Sequence, residues 1–175
     1  MNIQTHILTN KKGNMKIAII YYSQSGNTKI LADKIIEGVQ QVEGIEVKAM
    51  TVDNFDKQFI AKAKAILFGS PTYAGTYSWQ IKKWFDTCPV NLGGKLGSVF
   101  ATGAVVGGGA EIAEHGMAGM MLVRGMLVYT AGHAEGMPFT HMGAVAINNS
   151  EEWQLDRAKV LGQRVAEKAL ELFKD

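Results

Sequence analysis

A chain of 175 residues, 47% hydrophobic and 19% charged, is sized and composed for one globular domain with a substantial core. Its 18 Lys and Arg nearly balance its 16 Asp and Glu, and no basic run exceeds the three lysines of LTNKKGNMK, so nucleic acid is excluded as an expected partner. Cys88 is the only cysteine, no apolar run approaches the roughly 20 residues of a membrane span, and MNIQTHILTN lacks a secretory pattern; the expectation is a cytoplasmic chain without disulfides.

Residues 1–14 are polar, and Met15 stands just ahead of the first apolar run. They read either as an N-terminal extension of a domain spanning 15–175 or as an overlong start. Lys16–Tyr22 (KIAIIYY) is unbroken and rich in β-branched residues, as in a strand buried on both faces. Leu31, Ile35, Val39 and Val42 then recur at helical spacing, and Gly44 closes that helix. Glu46–Val52 predicts a second strand, and Asp53 is expected to cap a short helix reaching Ala63. Ala65–Ser70 predicts a third strand. A helix follows in which Ile81, Trp84, Phe85 and Cys88 share a face, Cys88 being read as a small packed hydrophobe. Leu96–Thr102 predicts strand four, a Met-rich helix comes next, and Met126–Thr130 predicts strand five. The last helix is expected to open at Asn149 or Ser150, with Glu151 and Glu152 in its first turn. Its core face would be Leu155, Ala158, Leu161, Val165, Ala169 and Leu172. Five alternations of strand and helix with short connections require right-handed crossovers and a parallel sheet covered on both faces.

Ligands of such a sheet bind beyond the carboxyl ends of its strands. Three loops leave those ends and are rich in small or hydroxyl residues. In the first, Ser23, Gln24, Ser25, Gly26, Asn27 and Thr28 open a helix, where free N–H groups and the helix dipole favour an anion. The stretch has neither the GK[ST] ending of a nucleotide-binding loop nor a G-x-G-x-x-G fingerprint, so a terminal monophosphate suits it better than a triphosphate. Lys29 is expected to be a solvated helix lysine. The second loop contributes Pro71, Thr72, Tyr73, Ala74 and Gly75, and the third Thr102, Gly103, Ala104, Val105, Gly107 and Gly108.

These stretches carry a resemblance. SQSGNT is similar to the phosphate loop of flavodoxin-like proteins, GSPTYAGTYSWQIKKWFD resembles the second flavin loop and following helix of the WrbA-like NAD(P)H:quinone oxidoreductase branch, and ATGAVVGGGAE resembles the third. THMGAVAI is similar to a late segment of that branch, with Met142 in place of an aromatic. The likeness runs from Met15 to about Phe173. It implies a flavodoxin-like α/β fold with a doubly wound five-stranded parallel sheet of order 2-1-3-4-5, helices on both faces, and bound FMN held by the three loops. Two departures stand out: the span Asp53–Ala65 is short where larger members carry an insertion, and Arg124-Gly125 replaces a His-Gly pair.

Around the flavin, at least one of Tyr73, Tyr77 and Trp79 is expected at the ring, with Trp79 alternatively on the helix core face. His141 is a candidate to line the pocket; with His133 it shows no metal-ligand spacing, so no metal is expected. Glu111 reads as a helix-start acid. Met117, Met120, Met121 and Met126 read as core filling, or else as an apolar subunit interface supporting a homodimer. No side-chain constellation identifies a catalytic residue; the cofactor would carry the chemistry. The slightly basic balance and a third loop without aromatics favour an enzyme that takes hydride from NAD(P)H and reduces a quinone-like acceptor. The alternatives are a one-electron carrier of the flavodoxin type and a non-catalytic FMN-binding protein.

Overall fold

The computed structural model describes residues 15–148 and 150–173, so the expected extension 1–14 lies outside the described residues. In chain order the elements are β1 (Met15–Tyr21), α1 (Asn27–Val39), β2 (Ile45–Thr51), α2 (Lys57–Lys62), β3 (Ala65–Tyr73) and β4 (Thr76–Tyr77). They continue with α3 (Trp79–Thr87), β5 (Leu96–Gly103), α4 (Ala110–Val123), β6 (Leu127–Val128), β7 (Ala144–Ile147) and α5 (Glu152–Phe173).

The sheet runs β2-β1-β3-β5, with β6 and β7 sharing the fifth position along β5 and β4 folded back on β3. All pairings except β3–β4 are parallel. This is the α/β, doubly wound architecture expected from the alternating pattern. Successive residues of β1 serve opposite faces, as the period of two demands. Ile17 and Ile19 pack with Leu31, Ile35, Leu161 and Val165 of α1 and α5. Ala18 and Ile20 pack with Ile60, Ile81, Phe85, Met117 and Met121 of α2, α3 and α4. On the first face, glycines let two helix backbones touch. A Cβ on Gly38 of α1 would lie 1.8 Å from the Lys159 carbonyl oxygen, and one on Gly162 of α5 would lie 2.2 Å from that of Ile35.

Several expectations are corrected. The fifth strand is not Met126–Thr130: β6 keeps only Leu127 and Val128 beside Leu96 and Gly97, and β7 resumes the position beside Phe100–Gly103. The chain between them turns through Gly132 and Gly136, both at positive φ, and cannot hold a strand. The sheet therefore has seven strands by count while keeping five positions across. The cap of α2 is Asp56, whose carboxylate accepts from Phe59 N–H at 3.0 Å, and not Asp53. Gly44, at φ 80°, belongs to the turn into β2, because α1 has already ended at Val39. Helix α5 starts at Glu152; Gln154 Oε1 accepts from the N–H groups of Ile147 and Glu151 and organises the approach, and Asn149 is outside the described residues. Leu172, expected on the core face, is 47% exposed, while Ala169 is fully buried and Phe173 packs on the core.

Candidate functional site

Loop one joins β1 to α1. Gly26 is the N-cap of α1 and adopts the left-handed conformation (φ 96°), with no side chain of its own to cap the helix. Ser23 Oγ accepts from Lys29 N–H at 3.3 Å, and the Ile30 N–H bonds back to the Gly26 carbonyl. Helix geometry leaves the N–H groups of Asn27 and Thr28 without intrahelical acceptors. A Cβ at Gly26 would meet nothing within 4 Å, so its demand is conformational. Ser25 and Gln24 are exposed and Thr28 is buried.

Loop two is not a free loop. β3 continues through Pro71 to Tyr73 and returns as β4, with Ala74 and Gly75 at φ 48° and 81° forming the tight turn. Pro71 is tolerated because this end of β3 is a hairpin arm at the edge of the parallel ladder. Ser70, fully buried, secures the base by accepting from Ser78 N–H at 2.8 Å.

The three loops interlock in pairs. Tyr73 donates its hydroxyl to Gln24 Oε1 at 2.7 Å, joining loops one and two, and its ring meets Tyr22 edge-on with centroids 6.5 Å apart. Partial burial and the neighbouring Tyr22 push the Tyr73 phenol above its ordinary range, which keeps it a donor near neutrality. Thr28 and Thr102 share a buried hydroxyl–hydroxyl bond of 2.8 Å, joining loops one and three. Gly109, buried and at φ 98°, packs so closely on the loop-two turn that a Cβ there would lie 2.3 Å from the Gly75 carbonyl oxygen. Asn148, just past β7, donates its N–H to the Gly103 carbonyl at 2.8 Å, which braces loop three from the sheet edge. Between these contacts, the Thr72 hydroxyl is buried without a partner. Ala104, Val105 and Gly107 stand exposed on the rim beside Val106, which is 88% exposed; Gly108 turns back onto the Val105 carbonyl.

All seventeen candidate positions therefore fall on three adjoining segments, strand ends, turns and the start of α1, at one end of the sheet. Gly109 and Ser70 lie inside the stretches that carry the resemblance but were not among the candidate ligand residues; Asn148 escaped the sequence reading. The remaining candidates take the following places, Tyr77 opposite Thr72 in the hairpin. Tyr77 is a packing residue, its ring filling the space beside Gly116 of α4. Trp79 opens α3 with 64% exposure and is not on the core face, which is made by Ile81, Trp84 and Phe85. His141 does not follow the fifth strand. It lies in the interruption between β6 and β7, its ring stacked on Phe139 at 5.6 Å. Arg124 ends α4, about 20 Å of helix rise away from Gly109, and bonds the Phe85 carbonyl of α3. Lys29 pairs with Asp33 at the surface, and Glu111 lies in the first turn of α4. Met117, Met121 and Met126 are buried in the core, which removes them from any subunit interface.

The architecture is that of the doubly wound α/β proteins, in which ligands are bound at this end of the sheet and anions at helix N-termini such as that of α1. The family model described as Flavodoxin matches residues 19–117. A flavodoxin of Clostridium saccharobutylicum is 43% identical over 160 residues, covering 91% of this chain and all of that one. A flavodoxin of Aquifex aeolicus is 35% identical, covering 87% of this chain and 85% of that one. An NAD(P)H dehydrogenase (quinone) of Geotalea daltonii is 28% identical, covering 74% of each. Among solved structures, the flavodoxin, WrbA-like protein from Agrobacterium tumefaciens superposes with a TM-score of 0.76 at 22% identity, over 90% of this chain and 99% of that one. The chain belongs to the flavodoxin family. No helix among the described residues is long and apolar enough to cross a membrane.

Proposed function

We propose that the chain binds FMN at the three interlocked loops and works as an electron carrier of the flavodoxin type. The observation that carries the proposal is the N-terminus of α1, where Gly26 leaves the Asn27 and Thr28 N–H groups free and the hairpin and third loop close in. Its donor set fits a phosphate monoester: free N–H groups at Asn27 and Thr28, and hydroxyls at Ser23, Ser25 and Thr28. The partnerless Thr72 hydroxyl, buried where loops two and three meet, is the kind of group a bound ligand satisfies. FMN, when bound, supplies the redox chemistry. The chain's part is to hold the phosphate on loop one, position the ring between Tyr73 and the Thr102–Gly108 loop, and exclude water beneath it with Thr28 and Thr102. Support for the carrier over the enzyme comes from the flavodoxin relatives, which are matched at higher identity and over more of this chain than the quinone dehydrogenase.

The second reading is an NAD(P)H:quinone oxidoreductase of the WrbA-like branch, acting on a quinone-like acceptor as a homodimer. It is supported by the third loop, whose exposed Ala104–Gly107 rim has no aromatic to cover a flavin face, and by the slightly basic net charge of +2. With Met117 and Met121 in the core, a dimer on α4 would use Ile112, Leu122 and Val123, all exposed. Anaerobic mixing of FMN-loaded protein with NADH and NADPH tests the two. A carrier is reduced by neither on the seconds scale and shows two resolved one-electron steps in a potentiometric titration. Rapid bleaching by either nicotinamide, followed by quinone turnover, would establish the enzyme instead.

A further inference from the structure

Among the described residues, Glu114 is the acidic side chain buried in the interior, with 1% exposure. It lies on the inward stripe of α4 with Ala110, Ala113, Met117 and Met121. Its carboxyl reaches the place where the fifth strand is broken. A Cβ built on Gly143, the residue before β7, would lie 2.4 Å from Glu114 Oε1 and 2.3 Å from the Val99 carbonyl oxygen. Val99 falls between the stretch of β5 paired with β6 and the stretch paired with β7. The carboxyl thus plugs the seam, and Oε1 has no hydrogen-bond partner.

No cation is in ion-pair contact with it among the described residues. The charges that bear on it are Glu111, one turn earlier on α4, and Arg157 across on α5, whose Nε is already held by the Phe139 carbonyl. β5 presents only backbone and apolar groups at Val99 and Phe100. The titratable His141 of the crossing segment is exposed, with its ring stacked on Phe139. Burial, then Glu111, pushes the carboxyl well above its ordinary range, against the opposing pull of Arg157. A neutral acid can sit against a carbonyl oxygen and donate to it. A carboxylate in the same place faces a carbonyl dipole and an apolar wall, an arrangement that burial makes costly.

We propose that Glu114 is a proton-dependent latch on the interrupted fifth strand: as a neutral acid it seals the α4–Gly143 seam, and on ionisation it drives the Thr140–Gly143 crossing and the start of β7 away from β5. The other end of β7 is bonded to Gly103, so the latch sits one short strand from the third loop. The idea is independent of what that loop binds.

The sign follows from linkage. The folded chain keeps a proton that the unfolded chain releases near the ordinary glutamate value of 4.5, so the contribution is complete below that pH. Above it the folding equilibrium constant falls tenfold per pH unit until the folded carboxyl itself ionises. The test is hydrogen exchange on the full chain from pH 5 to 9, with protection factors corrected for intrinsic rates. In wild type, the amides of residues 140–147 should lose protection by about tenfold per pH unit over part of that range. In Glu114→Gln, which keeps the size and a donor but cannot ionise, they should stay level. Equal pH dependence in the two proteins would overturn the latch. Should the variant fail to fold, carbon-13 titration of wild-type glutamate carboxyls decides the matter. One carboxyl titrating well above the rest, with the same midpoint as the exchange, supports the proposal, and any other result refutes it.

Discussion

Gly109→Ala is the sharpest perturbation of the loop cluster. The residue is held at φ 98°, and its missing side chain points at the Gly75 backbone. A left-handed conformation costs a non-glycine residue about 1–2 kcal/mol. Overpacking of a fitted contact costs about 1–3 kcal/mol more, and here the obstacle is backbone, which cannot rotate away. Together they make about 2–5 kcal/mol. The free chain can relieve this by withdrawing loop three from the loop-two turn, so that FMN must pull the loops together again. At about 1.4 kcal/mol per tenfold, affinity should fall by at least about 30-fold. Gly107→Ala is the matched control: φ is 77°, but a Cβ meets nothing within 4 Å. It should cost about 30-fold at most, from conformational strain alone, and less than Gly109→Ala. Quenching of flavin fluorescence on titration with each protein measures both constants, with circular dichroism verifying the fold. Binding by Gly109→Ala within threefold of wild type would refute the claim that the close approach of Gly109 to Gly75 shapes the site.

Two other substitutions probe the supports. Thr28→Val keeps the shape but strands the buried Thr102 hydroxyl, and should lower unfolding free energy by about 1–3 kcal/mol in urea titration and weaken FMN binding in the same protein. Gly38→Ala drives a Cβ into the Lys159 carbonyl where α1 crosses α5; it should cost about 1–3 kcal/mol of stability, while flavin affinity, measured under folded conditions, stays within a few-fold.

How much of this was legible depended on whether the decisive interaction was local. The apolar runs of β1, β3 and β5 announce strands buried on both faces, and the three loops follow from their C-terminal ends. Pro71 hid the extension of β3, because proline argues against a central strand and the hairpin that tolerates it is formed only with Thr76 and Tyr77. The fifth strand was misplaced because Met126–Thr130 is a continuous apolar run, whereas the real position is assembled from Leu127–Val128 and the distant Ala144–Ile147. Asp53 and Asp56 are equivalent caps by residue type; the choice fell to the one whose carboxylate reaches Phe59 N–H. Glu114 could have been found, since it interrupts an otherwise apolar stripe at Ala110, Ala113, Met117 and Met121. The contact between Gly109 and Gly75 could not, because it joins two loops whose approach is set by the whole sheet.

Titration of flavin-free protein with FMN and, in parallel, with riboflavin tests the central claim most directly, because the two ligands differ only in the phosphate that loop one is argued to hold. The account predicts one equivalent of FMN bound, with riboflavin weaker by about 100-fold or more, the scale of two charge-assisted hydrogen bonds at a helix N-terminus. Equal affinity for the two, or no uptake of FMN at all, would contradict it.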